Sequence, residues 1–217
     1  MKSTLQAPRV RPVQERSRET QDRIYEGALS AFAEKGFDGA STREIAARAG
    51  VKQQLLQYHF GSKSELWYAV MGRLFGEVRS ELTEALKAAR PTTARERARL
   101  VIRGFVEFSA RRPQLHRLML QESSADGERL AWIVEHQSRV FYELVQGLCR
   151  DLVAEGVAGA IPPEEFYYLL VGAGASLYST AAEFKLLTSR DPFAPQAVAA
   201  HAEALSALLL GPGTEAS

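Results

Sequence analysis

Beyond residue 18 the apolar positions of this 217-residue chain recur at helical spacing rather than alternating, and no internal repeat is visible. Ile24, Ala28 and Ala31, beside Tyr25, Leu29 and Phe32, predict a first helix over 18–35 that Gly36 stops, with Phe37 folding back into a core. Ser41 followed by Glu44 has the spacing of a capping box, so a short second helix starts at Thr42 and ends at Gly50. Val51 turns the chain into a third helix over 52–59. Ser62 and Glu65 repeat the box, and Leu66, Val70, Leu74, Val78, Leu82 and Leu86 step by four along a long fourth helix ending near Pro91. Segments 94–110, 113–122, 128–155, 163–188 and 195–210 continue the periodicity. The expectation is an all-α protein of about nine helices, with a helix, tight turn, helix in its N-terminal part.

Composition narrows the classes. With 46% hydrophobic residues the chain can bury a sizeable core, which excludes disorder as a whole. The single Cys149 cannot form an internal disulfide, and no apolar signal core follows the charged N-terminus, so a cytoplasmic location is expected. The longest uncharged run, 166–182, is rich in Gly, Ala and Ser and falls short of the roughly 20 strongly apolar residues of a spanning helix, so it reads as a buried helix and no membrane partner is expected. His59, His116, His136 and His201 lack metal-ligand spacing, and no nucleophile motif or glycine-rich phosphate loop is present. No catalytic residue, metal or cofactor is expected.

Charge is unevenly divided. The whole chain carries a net +1, but residues 1–66 hold 11 Lys and Arg against 8 Asp and Glu, while the remainder is net acidic. Lys2, Arg9, Arg11, Arg16, Arg18 and Arg23 crowd the first 23 residues, where Pro8 and Pro12 predict a flexible basic arm over 1–18. That arm is either a solvated tail or a means of attracting phosphate by counterion release.

The segment VKQQLLQYHF makes the second possibility concrete. Val51 and Leu56 are spaced to face Ile45, Ala46 and Phe37, which leaves Lys52, Gln53, Gln54, Leu55, Gln57 and Tyr58 on the exposed arc. In a helix-turn-helix the second helix enters the major groove. Glutamine can pair with adenine in bidentate fashion, lysine suits guanine or phosphate, and leucine can meet a thymine methyl. Lys52, Gln53, Gln54, Leu55 and Gln57 are therefore the expected base readers.

Six features, the F-x-E-K-G-F turn (Phe32 to Phe37), S-T-R-E-I-A, A-G-V, L-x-Y-H-F, S-K-x-E-L and their place at the chain start, resemble the DNA-binding domain of the TetR family of transcriptional regulators over roughly residues 19–68. The resemblance implies a DNA-binding domain over 19–66 and phosphate contacts from Ser41, Thr42, Arg43, Tyr58, His59 and Lys63. Helix N-termini, with free amides and a positive dipole end, suit such contacts. Many members carry tyrosine where this chain has Gln57, so either Tyr58 takes that contact or Gln57 reads a base.

By the same resemblance, residues 67–217 form a helical ligand-binding and dimerisation domain, and RPQLHRLMLQESS and FYYLLVGAGA are similar to the RutR-like branch of the family. Glu122 and Gln137 interrupt apolar stripes, so either neighbouring side chains satisfy them or they orient a small-molecule effector. Leu118, Trp132, Phe141 and Tyr168 complete that candidate pocket. Stripes formed by Phe166, Leu170, Ala173, Leu177 and Phe184 and by Val198, Ala202, Leu205 and Leu209 are the expected homodimer seam. The expected function is a repressor that binds a palindromic double-stranded operator as a homodimer and is released by the effector. The alternative is a DNA-binding regulator without a small-molecule ligand, controlled by a protein partner or constitutive.

Overall fold

The computed structural model describes residues 13–157 and 161–211, and among these the ordered elements are all helical. The chain divides into two compact units, Met1–Val70 and Met71–Ser217.

The first unit holds α1 (Val13–Gly39), α2 (Thr42–Arg48), α3 (Gln53–Phe60) and the first turns of α4 (Lys63–Ala89). Helix α1 begins at Val13, not at Arg18, so residues 13–18 are not part of a flexible arm. Gln14 to Glu19 are tolerant of helix, and Thr20 Oγ1 donates to the Arg16 carbonyl at 2.9 Å. The rest of the expected arm, with Lys2, Arg9 and Arg11, lies outside the described residues. Gly36, at φ 72°, breaks the helix before a last turn. Phe37 then returns to stack on Phe32, with ring centroids 6.1 Å apart, and meets Trp67 edge-on. Helices α1 and α2 approach closely at Gly27, where a Cβ would lie 3.2 Å from Ala49 N and the Ile45 carbonyl oxygen.

The second unit contains the rest of α4 and α5 (Ala94–Arg111), α6 (Gln114–Ala125), α7, α8 (Pro163–Ser179), α9 (Ala181–Thr188) and α10 (Pro195–Leu210). Helix α7 is continuous from Glu128–Ile133 through a π-helical segment, Val134–Ser138, into Arg139–Ala154. Helix α5 packs against α7, α8 and α10. Ala98, Val101, Ile102, Phe105, Val106 and Phe108 on it are buried. Both oxygens of Glu155 accept the Ala94 amide at 2.8 Å, placing a carboxylate at the positive end of α5. Arg95 reaches the Leu210 carbonyl at 2.7 Å and thus serves the negative end of α10.

Two expectations change here. The helix expected over 163–188 is two helices, because Ser179 and Thr180 both turn their hydroxyls onto the Ser176 carbonyl, at 3.0 and 2.8 Å, and Thr180 leaves helical geometry at φ −110°, ψ 25°. Side chains that bond nearby carbonyls compete with the helical ladder. Most residues of the expected dimer seam are also placed otherwise. Phe166, Leu170, Val198, Ala202, Leu205 and Leu209 are each at most 9% exposed within a single chain, so they form the protomer core. Ala173, Leu177 and Phe184 are half-buried. An apolar stripe needs one cover, and α5, packed against both α8 and α10, supplies it.

Leu205→Ala is therefore expected to destabilise the second unit by about 2–5 kcal/mol, as a large-to-small core change does. Leu205→Asp should abolish cooperative unfolding of that unit rather than release a folded monomer. Urea titration followed by circular dichroism checks both, and a cooperatively folded Asp variant would contradict this packing.

Candidate functional site

In the first unit the turn between α2 and α3 is built on Gly50, whose φ of 63° suits glycine. The Val51 amide bonds the Ala46 carbonyl at 3.0 Å and closes the turn. Leu56, 1% exposed, anchors α3 to the core, and its burial turns the opposite arc outward. On that arc Lys52, Gln54 and Gln57 are exposed, Leu55 is 38% and Tyr58 82% exposed, and His59 stands edge-on to Tyr58 at 5.3 Å. Gln53 is exposed too, but its amide nitrogen donates to Thr42 Oγ1 at 3.1 Å, which ties the start of α3 to the start of α2. No Asp or Glu occurs in α3.

The neighbouring charges fall into two groups. Arg48 donates to Ser30 at 2.9 Å, Glu34 at 2.7 Å and Glu44 at 2.6 Å, while Lys35 pairs with Glu44 at 2.8 Å. This cluster fastens α2 to α1, and hydrogen bonds from Lys35 and then Arg48 hold the Glu44 carboxyl below its ordinary pKa. Ser41 accepts the Glu44 amide at 3.1 Å as expected of a cap, but the Glu44 carboxylate turns to those two cations instead of back to Ser41, so the expected box is only half made. Arg43 and Lys52, by contrast, are exposed and have no ion-pair partner among the described residues. The Ser62 and Glu65 box is complete: Glu65 N donates to Ser62 Oγ at 3.1 Å and Ser62 N to Glu65 Oε2 at 2.7 Å. Lys63, at the start of α4, lies over the Phe37 ring at 4.5 Å and donates to the Asp38 carbonyl at 3.3 Å.

The second unit encloses a cavity of about 610 Å³ whose walls are mostly apolar, contributed by α4, α5, α6, α7 and α8. Of the six residues expected in a pocket, Gln137, Phe141 and Tyr168 line it. The others do not. Leu118 is wholly buried in the core, Trp132 stacks on His136 at 5.1 Å, and Glu122, 3% exposed, pairs with Arg129 at 2.9 Å, which is the neighbour-satisfied alternative for that residue. The wall also includes Tyr167, whose ring is of the flat kind expected there, and Arg79, Thr83, Arg112, His116 and Ser138, which sequence reading missed. Arg79 and Thr83 stand one turn apart on α4, but they reach the other wall residues only through tertiary packing, which no sequence spacing records. The Gln137 Oε1 atom is buried with no hydrogen-bond partner. Ser138 Oγ is buried too, close to the Tyr167 hydroxyl. Burial pushes the His116 imidazole below its ordinary pKa and the Tyr167 hydroxyl above its own.

Residues 24–70, which contain this α2–turn–α3 arrangement, match the family described as "Bacterial regulatory proteins, tetR family". Residues 24–70 are a TetR-type DNA-binding domain. Among the curated relatives, the transcriptional activator FasR of Mycolicibacterium smegmatis is 29% identical over 135 residues, 62% of this chain and 57% of its own length. The transcriptional repressor SCO4008 of Streptomyces coelicolor is 28% identical over 156 residues, 70% of this chain and 74% of its own. For three of the curated relatives the match spans only 33% to 57% of their length. The solved structure of AibR in complex with isovaleryl coenzyme A and operator DNA has the same fold, with a TM-score of 0.72 at 17% identity over 89% of this chain and 100% of that one.

The TetR-type unit also contains an acid-sensitive contact. Hydrogen bonds from Ser62 hold the Glu65 carboxyl below 4.5. A carboxyl lowered in the folded state contributes stability above its unfolded pKa and loses it as pH falls through the folded value. Glu65→Gln should therefore flatten the decline in stability below pH 4.5 and leave the slope near neutrality unchanged. Thermal melts across pH 3 to 7 read this directly, and identical acid limbs in both proteins would exclude the capping role.

Proposed function

We propose that the protein is a transcriptional repressor that holds two α2–turn–α3 units over a palindromic operator as a homodimer and releases it when a small molecule enters the cavity. The observation that carries the DNA-binding part is the outer face of α3 and the start of α2, free of carboxylates on α3 and bearing the unpaired cations Arg43 and Lys52 beside Gln54, Gln57 and Tyr58. Phosphate attraction from cations and base readout from amides are the two components of specific binding. Gln54, Gln57, Leu55 and Lys52 are the base readers in this reading, with Gln53 bracing α2. Arg43, Ser41, Thr42, Tyr58, His59 and Lys63 meet phosphates.

The cavity favours small-molecule control over a partner-controlled regulator, since a core with no chemical task would be packed solid. AibR, whose structure holds both an acyl-coenzyme A and operator DNA, supports joining the two activities in one fold. Helix α4 begins at Lys63 beside the proposed phosphate contacts and lines the cavity with Phe75, Val78 and Leu82, so it is the element through which occupancy is felt. For the dimer, Leu169 on α8, Leu186 and Leu187 on α9 and Leu208 on α10 are 43%, 87%, 78% and 69% exposed, an apolar surface of the kind that marks an interface. None of the described helices is long and apolar enough to cross a membrane.

Operator titrations separate the roles. Gln54→Ala is expected to cost about 1–3 kcal/mol on the preferred site and to relax base choice at one position. Arg43→Ala should weaken all sequences alike and reduce the salt slope by about one unit. Equal loss of specificity in both variants would refute the assignment. Leu208→Glu, at an exposed position, should stay folded while sedimentation shows monomers with reduced affinity for the full palindrome. A variant that remains dimeric would place the interface elsewhere.

A further inference from the structure

The charges on the cavity wall are one-sided. Arg79, Arg112 and His116 line it, and among the described residues no Asp or Glu does. Burial lowers the His116 pKa, so its imidazole is neutral near pH 7. Arg112 is engaged by Glu77, with Nε and Oε2 3.2 Å apart. Arg79 is different: it is exposed to solvent while lining the cavity, which puts it at the mouth, and it has no carboxylate partner among the described residues. Farther in, the buried Gln137 Oε1 lacks a partner, and Gln137 Nε2 lies 3.9 Å from where a Cβ on Gly72 would be, against α4. An unpaired buried amide oxygen costs free energy until a donor meets it.

We infer that the effector is an amphipathic carboxylate, its charged end held at the mouth by Arg79 and its apolar body reaching inward to place an uncharged hydroxyl against Gln137. This rests on the reading of the cavity as the effector site. The orientation follows from desolvation. A carboxylate deep among Phe75, Phe105 and Phe141 would lose its water without gaining a cation, whereas at the mouth it keeps part of its hydration and gains Arg79. A hydroxyl can be buried because it donates one hydrogen bond, and Gln137 Oε1 accepts one. An ammonium ion finds no counter-charge on the wall and meets a guanidinium at the entrance. The volume admits on the order of 20 non-hydrogen atoms at about 30 Å³ each.

The test uses the full chain and a neutral apolar fluorophore, N-phenyl-1-naphthylamine, displaced by dodecanoate, 12-hydroxydodecanoate, dodecanol or dodecylammonium below their micellar concentrations. Dodecanoate should displace at about tenfold lower concentration than dodecylammonium, and Arg79→Gln should erase most of that gap without changing affinity for the fluorophore. 12-Hydroxydodecanoate should exceed dodecanoate in the wild type and lose the advantage in Gln137→Leu. If the fluorophore enters but dodecylammonium competes as well as dodecanoate, the carboxylate assignment is overturned while the cavity remains a binding site. If the fluorophore does not enter and nothing displaces it, the effector-site reading falls as well.

Discussion

The second unit depends on the burial of α5. Only Glu96, Arg99, Arg103, Glu107 and Arg111 form an exposed stripe along it, and the rest of its surface is wholly or partly covered by neighbouring helices. A helix enclosed on so much of its circumference imposes its length and direction on whatever packs around it. Gly104 shows how tight the fit is, since a Cβ there would lie 2.6 Å from Leu82 Cδ2 on α4. Glu155 and Arg95 then join the start of α5 to the end of α7 and to the end of α10 by charged groups at helix termini, where the helix dipoles favour them.

The first unit is organised differently. Its core is small, and α2 has only Ile45 and Ala46 wholly buried within its span. The cluster of Arg48, Glu34, Glu44 and Lys35 adds directional contacts between α1 and α2 that apolar packing alone does not provide. Exposed ion pairs individually contribute little, but a shared network fixes orientation. This matters because the outer face of α3 keeps its aim only while α2 is held against α1. The amide of Gln53, bonded to Thr42, continues the same bracing to the tip of the motif.

Much of this was legible in the sequence, and the failures have physical causes. Helix ends marked by local chemistry, such as Gly36, Ser41, Ser62 and Gly50, could be placed because a cap depends on residues a few positions apart. The break at Thr180 escaped periodicity because Ser179 and Thr180 act through hydrogen bonds, not through an apolar pattern. The stripes on α8 and α10 were correctly seen to need burial, but an amphipathic pattern does not name its cover, and α5 is that cover. Glu122 and Gln137 looked alike as polar interruptions. Only tertiary structure separates the one paired with Arg129 from the one left facing a cavity.

The π-helical segment in α7 has a consequence for register. An α-helix advances about 100° per residue, so one extra residue accommodated in a wider turn rotates everything beyond it by about that angle. Counted along an uninterrupted α-helix, Ile133 would point roughly a quarter to a third of a turn away from the mean direction of Val145, Leu148, Cys149 and Leu152. All five are buried, and the wide turn between them brings their faces back into line. The segment that carries Gln137 and Ser138 to the cavity therefore behaves as a one-residue phase insertion, and losing a single residue from it would leave the two halves of α7 facing different neighbours.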